Sequence, residues 1–161
     1  LTARENIRLG DVRLDEGDPA IKAAAVDADA DELIHRLPRG YDTRLGRWFE
    51  EGEELSVGEW QKIALARTFV RDAQVLVLDE PTSALDPQAE WEVFRHIQGL
   101  AQGRVVLLIS HRFSTVRNAD RIHILDDGHI IESGNHEELL AMEGRYAAMF
   151  RTQAQGFGAT E

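Results

Sequence analysis

Val75-Leu76-Val77-Leu78-Asp79-Glu80-Pro81-Thr82 is the stretch on which the fold of this chain turns. Four apolar residues in a row, without alternation, predict a short strand at 74–78 covered on both faces, the pattern of a parallel sheet. Two carboxylates then leave its C-terminal end, where open α/β sheets place their ligands. Adjacent carboxylates repel one another unless a cation or a proton comes between them. A Mg²⁺ ion carrying phosphate suits Asp79, and a water to be activated suits Glu80. An ordinary strand end with two solvated acids has the same letters.

Reading outward from that strand, Asp86-Pro87 pairs an N-cap with proline at the first helical position. Val93, Phe94, Ile97 and Leu100 then lie on one helical stripe, and Gly103 closes it. Residues 104–110 repeat the buried-strand pattern. Segments 122–125 and 129–132 flank Asp127-Gly128, a strong short hairpin signal. Asn135 can cap a last pair of short helices at 137–142 and 145–152. On the N-terminal side, 57–70 reads as a helix, Asp18-Pro19 opens another that runs to about residue 25, and a further one spans about 30–36. Pro38, Gly40 and the polar residues up to 54 read as loop. Helices alternating with buried strands imply an α/β fold, a parallel sheet flanked by helices with a late hairpin.

The bulk numbers exclude several classes. A length of 161 residues with 43% hydrophobic content suits one packed domain. A net charge of −11 argues against a nucleic-acid partner, which needs excess Lys and Arg. The absence of cysteine removes disulfides, thiolate metal sites and Cys nucleophiles. The longest aliphatic runs, 75–78 and 105–109, are far below the ~20 apolar residues of a membrane helix. The chain starts at Leu1 inside an amphipathic stretch with no signal peptide, so it is expected to be cut from something longer. His136-Glu137-Glu138-Leu139-Leu140 lacks the second His of a zinc protease. No G-x-S-x-G surrounds any serine, which removes a serine hydrolase of that type.

Two further segments carry chemistry. In Leu55-Ser56-Val57-Gly58-Glu59-Trp60-Gln61 a Ser stands before a Gly at the start of a long helix. It presents a hydroxyl, free backbone N–H groups and the positive helix end, in form an anion site. A plain Ser N-cap reads the same way. In Ile109-Ser110-His111-Arg112 a His follows a strand end, where it can donate to a phosphate or hold a water, or serve as a loop residue with no such duty.

Taken together and in order, these three segments resemble the ABC ATPase family. Leu55-Ser56-Val57-Gly58-Glu59 looks like its signature motif. Leu78-Asp79-Glu80-Pro81-Thr82-Ser83-Ala84-Leu85-Asp86 looks like its Walker B strand running into the D-loop, and Ser110-His111 like its switch histidine. The stretch 119–139 resembles the strand, hairpin and helix that follow. Thr2-Ala-Arg-Glu-Asn-Ile7 and Arg39-Gly40-Tyr41-Asp42-Thr43 are similar to exporter-type members, and Glu50 and Gly52 fall where their acidic X-loop sits.

The resemblance implies that Ser56, Val57, Gly58 and Glu59 contact ATP bound on a partner subunit. It implies that Asp79 holds Mg²⁺ through water, that Glu80 is the general base, and that His111 contacts the γ-phosphate in cis. Ser83, Ala84, Leu85 and Asp86 form the D-loop across the dimer, and Asp86 can cap Pro87 at the same time. ATP and Mg²⁺ are the implied cofactors. A second ABC ATPase subunit and the transmembrane domains of an exporter are the implied partners, at the cytoplasmic face of the cell membrane. Residues 1–72 would be the helical signature part and 73–161 the catalytic-core part of a partial ATPase domain with its N-terminal strands missing. Val57 and Glu59 depart from the family's usual Gly and Gln, which predicts tuned affinity. Tyr41, Trp48 and Phe49 are expected either to meet helices of a transmembrane partner or to lie under the signature helix.

No G-x-x-x-x-G-K-[ST] occurs in the sequence, so the cradle for the phosphates is absent from it. The chain by itself is therefore expected to be inactive. With the phosphate-loop strand outside the sequence, 74–78 and 104–110 should pair with each other, and 122–125 only with its hairpin partner. The competing reading is a non-catalytic ABC-like fragment that acts only by pairing with a complete partner subunit.

Overall fold

Helices dominate the first half of the chain. A computed structural model describes residues 1–47, 52–101 and 103–157. They form two compact units, Leu1–Ile109 and Ser110–Glu161. The boundary expected at 72/73 from the motifs falls inside the first of these.

In the first unit, α1 (Ala3–Arg8), α2 (Pro19–Asp27) and α3 (Asp31–Arg36) lead through a 3₁₀ turn at Gly40–Asp42 to α4 (Val57–Phe69). The starts of α1 and α2 have a local cause, whereas Ala30 before α3 makes no side-chain cap. Thr2 and Glu5 form a capping box on α1. Asp18 accepts from the Ala20 N–H ahead of Pro19 on α2. Helices α1 and α2 pack on α4, and polar ties join them: Arg67 donates to the carbonyl and the side chain of Asn6 at 2.9 and 3.2 Å, and Lys62 meets Asp29 at 2.5 Å. Ile7, Ile21, Ile34 and Ile63 are fully buried in this layer.

Strand β1 (Val75–Asp79) pairs in parallel with β2 (Val105–Ile109), in register from Val75↔Val105 to Asp79↔Ile109. Helix α5 (Pro87–Leu100) connects them, as a parallel crossover requires. Leu76 and Leu78 are buried on one face, and Leu78 shares a core with Val93 and Ile97 of α5. The opposite face departs from the expectation of strands buried on both sides. Val75, Val77, Val105, Leu107 and Ile109 are about half or more exposed, at 57, 61, 63, 52 and 48%. A run that is apolar at every position asks for cover on both faces, and the described residues supply it on one.

In the second unit, a single turn α6 (Phe113–Val116) precedes β3 (Ile122–Asp126) and β4 (His129–Gly134), followed by α7 (His136–Ala141) and α8 (Arg145–Phe157). Among the described residues β3 pairs only with β4, antiparallel, as expected for a hairpin without a parallel neighbour. Asp127 and Gly128 turn the hairpin with φ of 46° and 76°, the positive pair that a tight primed turn needs. Buried Ile122, Leu139 and Tyr146 form this unit's core, with the Phe113 ring edge-on to Tyr146 at 5.2 Å. Glu132 reaches from β4 to accept the first N–H groups of α8, those of Arg145 and Tyr146. No described helix is long and apolar enough to cross a membrane.

Candidate functional site

The first unit brings two of the three motif segments together. The start of α4 and the turn that follows β1 are held in direct contact, and their local geometry explains why.

Ser56 is the N-cap of α4. Its hydroxyl oxygen accepts from the Glu59 N–H at 3.3 Å, and the Glu59 carboxylate accepts from the Ser56 N–H at 2.8 Å. This reciprocal box satisfies two N–H groups that a helix start otherwise leaves open. Because the Ser56 oxygen acts there as acceptor, its own O–H stays available to donate. The Ser56 backbone N–H holds the Glu59 carboxyl below its ordinary value, and the Ser56 hydroxyl adds to this. Glu59 is therefore engaged in closing the helix. The S-x-x-E spacing that signals this is readable in the sequence, although the expectation there concerned only its departure from the family's Gln. Val57, 77% exposed, is the first residue of α4 and has helical backbone, so the β-branched residue in place of glycine meets no φ conflict.

At the other side of the contact, Asp79 ends β1 and is exposed, while Glu80 is half-buried. Glu80 has φ of 46°, in the left-handed region that non-glycine residues rarely enter. Its N–H donates to the Ile109 carbonyl at 2.9 Å, and its carbonyl accepts from the Ser83 N–H at 3.2 Å. The chain thus turns sharply at Glu80 as it leaves the sheet. Thr82 and Leu85 are buried, while Ser83, Ala84 and Asp86 are exposed. Asp86 caps α5, accepting from Gln88 and Ala89 N–H at 2.9 and 3.0 Å. The Ala89 N–H is the main reason its carboxyl lies below the usual range.

Gly58 makes the contact possible. A Cβ there would stand 2.9 Å from the Ala84 carbonyl oxygen, closer than side chains come to backbone. Gln61, one turn further along α4, ties the same segment. Its amide donates to the Glu80 carbonyl at 2.8 Å and reaches the Ser83 hydroxyl at 3.3 Å, and its oxygen accepts from the Ala84 N–H at 3.0 Å. Gln61 was not among the residues singled out from the sequence. No local signal marks a bond between residues 19 to 23 positions apart.

His111 stands in the second unit, exposed, two residues after the end of β2. The neighbouring Ser110 hydroxyl accepts from the Arg112 N–H at 3.1 Å. Tyr41 stands in the 3₁₀ turn of the first unit. It packs against the first unit's core and donates its hydroxyl to Asp31 at 2.6 Å, and burial and that bond push its pKa up. Trp48, Phe49 and Glu50 lie outside the described residues.

No group of three or more His, Cys, Asp or Glu suited to a metal occurs among the described residues. The donor set at the end of β1 is two carboxylates. That set fits Mg²⁺ in its usual mode, in which one or two carboxylates share the ion with water and substrate phosphates, and does not fit a cation held by protein alone.

The family model described as ABC transporter matches residues 1–83. The chain is 44% identical over 155 residues to an ATP-dependent lipid A-core flippase of Legionella pneumophila (strain Paris), covering 96% of this chain and 26% of the relative. It is 46% identical over 153 residues to the mitochondrial potassium channel ATP-binding subunit of Pongo abelii, covering 95% of this chain and 21% of the relative. Its fold matches a bacterial Atm1-family ABC exporter solved with ATP bound, with a TM-score of 0.85 and 39% identity over 95% of this chain and 26% of that one. The chain thus spans about a quarter of the length of the curated flippase it matches.

Proposed function

The chain belongs to the ABC transporter family, and we propose that it works as part of the ATP-hydrolysing domain of an exporter. The observation that carries the reading is the contact between the capped start of α4 and the Asp79–Asp86 segment. The start of α4, in form an anion site, and the turn that follows the carboxylate pair are separate in sequence and joined by direct contacts. The division into a signature part, 1–72, and a catalytic-core part, 73–161, describes these roles.

In the proposed chemistry, Glu80 accepts the proton of the water that attacks the γ-phosphate of ATP. Asp79 is the residue that would hold Mg²⁺, which supplies charge neutralisation on the phosphates when bound. Ser56 offers its O–H, Val57 and Gly58 offer first-turn N–H groups, and Glu59, whose own N–H is held in the capping box, closes the helix end whose dipole faces the γ-phosphate of ATP on a second subunit. Ser83, Ala84, Leu85 and Asp86 serve that same dimer contact, and His111 donates to the γ-phosphate in its own subunit. The partners are a second ATPase subunit and the exporter's transmembrane domains, with the domain at the cytoplasmic membrane face. The relatives' names, an ATP-dependent flippase and an exporter solved with ATP, support this direction of transport.

Glu80→Gln in the complete transporter keeps the shape and removes the base. ATP turnover is expected to fall by roughly 10²–10⁴-fold with ATP binding retained. Turnover at the parent rate would show that Glu80 is not the base. Mixing Ser56→Arg subunits with Glu80→Gln subunits tests the shared site: activity that does not change on mixing contradicts it.

A further inference from the structure

We propose that Gln61 is a positioning residue for Glu80: its amide fixes the left-handed turn that carries the base and locks it to the start of α4. The inference rests on the reading of Glu80 given above.

The amide spans the turn from end to end. Its NH₂ group meets the Glu80 carbonyl and its oxygen meets the Ala84 N–H, at 2.8 and 3.0 Å. The partners leave no choice of orientation. A backbone carbonyl can only accept and a backbone N–H can only donate, so a flipped amide would face two like groups. The turn needs such a clamp. Glu80 has φ of 46°, a conformation that persists only where its surroundings over-determine it. Hydrogen bonds tie its peptide groups to the Ile109 carbonyl on β2, to the Ser83 N–H within the turn and to the Gln61 amide on α4. The approach of α4 is close enough that Gly58 leaves no room for a Cβ against Ala84. Gln61 thus sets where the Glu80 Cα stands, and with it the origin of the carboxylate side chain.

The test uses the complete transporter with Gln61→Glu, Gln61→Leu and, in parallel, Glu80→Gln. Gln61→Glu keeps an acceptor for the Ala84 N–H and loses the donor to the Glu80 carbonyl. Gln61→Leu loses both. Misplacement of a catalytic group without its removal predicts a fall in kcat of roughly 10- to 100-fold, with KM for ATP within about two-fold of the parent. In Gln61→Glu the ratio of variant to parent kcat should rise as pH falls from about 8 to about 6, because a protonated carboxyl can donate again. A merely structural role would give a loss without that pH dependence, together with poorer ATP binding or a lower unfolding temperature, and would overturn the proposal. Parent-like kcat in both Gln61 variants beside a crippled Glu80→Gln overturns the positioning role and leaves Glu80 standing as base. Parent-like kcat in Glu80→Gln removes the base reading, and the positioning role with it.

Discussion

Helices α4 and α7 start with the same device and serve different ends. Ser56 with Glu59, and Asn135 with Glu138, each exchange two hydrogen bonds, at 2.8 and 3.3 Å in the first and 3.0 and 2.9 Å in the second. Locally the two helix ends are equivalent. Their surroundings are not: in α4, Gly58 abuts the Ala84 carbonyl and Gln61 binds the Glu80–Ala84 segment, whereas in α7, Leu139 fills the small core of the hairpin unit. A helix start with free N–H groups and a capping hydroxyl is common. What singles out α4 is a backbone turn bearing carboxylates brought within van der Waals range of it.

The comparison can be broken most sharply at the second helical position. Gly58→Ala drives a Cβ into a backbone carbonyl that has no rotamer to yield, and should cost about 1–3 kcal/mol in unfolding free energy. Glu137→Ala, the equivalent position of α7, is exposed and should change stability by only about 0.5 kcal/mol or less. Denaturant titration of both variants checks this. A Gly58→Ala protein as stable as its parent would mean that α4 and the turn are not in contact.

A smaller effect separates the caps themselves. Ser56→Ala and Asn135→Ala each remove one cap and should each lower stability by about 1 kcal/mol. Only Ser56→Ala should also slow ATP turnover in the complete transporter. Equal slowing by Asn135→Ala would erase the functional difference between the two helix starts.

The smallest effect is one of pH. The Glu59 carboxyl titrates below its ordinary value in the folded chain, because the Ser56 N–H and hydroxyl favour its charged form. Its contribution to stability is therefore full above the ordinary carboxyl value and is lost as pH falls through the depressed folded value. Glu59→Gln keeps an acceptor for the Ser56 N–H without the charge, and should flatten that part of the acid-unfolding curve. It should also lower the ATP concentration for half-maximal turnover, since it removes a negative charge beside a proposed phosphate site. An acid-unfolding curve that matches the parent's would mean that the box does not depend on the charge of Glu59.

Much of this was legible in the letters because the causes are local. Asp18-Pro19 and Asp86-Pro87 start helices through a side-chain cap and a preset φ, and Asp127-Gly128 turns a hairpin through two positive φ values. The carboxylate pair is visible because an apolar run of strand length ends on it. The turn α6 escaped because four residues carry no period. Glu59 and Glu138 close their caps at the three-residue spacing from Ser56 and Asn135, a signal as local as the others. The bond from the Tyr41 hydroxyl to Asp31, ten residues upstream, has no such local signal.

The sequence by itself determined the element types, the α/β class and the candidate carboxylates, since propensity, capping and apolar periodicity act over a few residues. Tertiary structure alone decided the rest. It left one face of the β1–β2 pair exposed, it placed Glu80 in a left-handed turn, and it put the Gln61 amide across that turn. Those features depend on which distant backbone groups come within hydrogen-bond reach, and that is settled only when α4, β1 and β2 pack together.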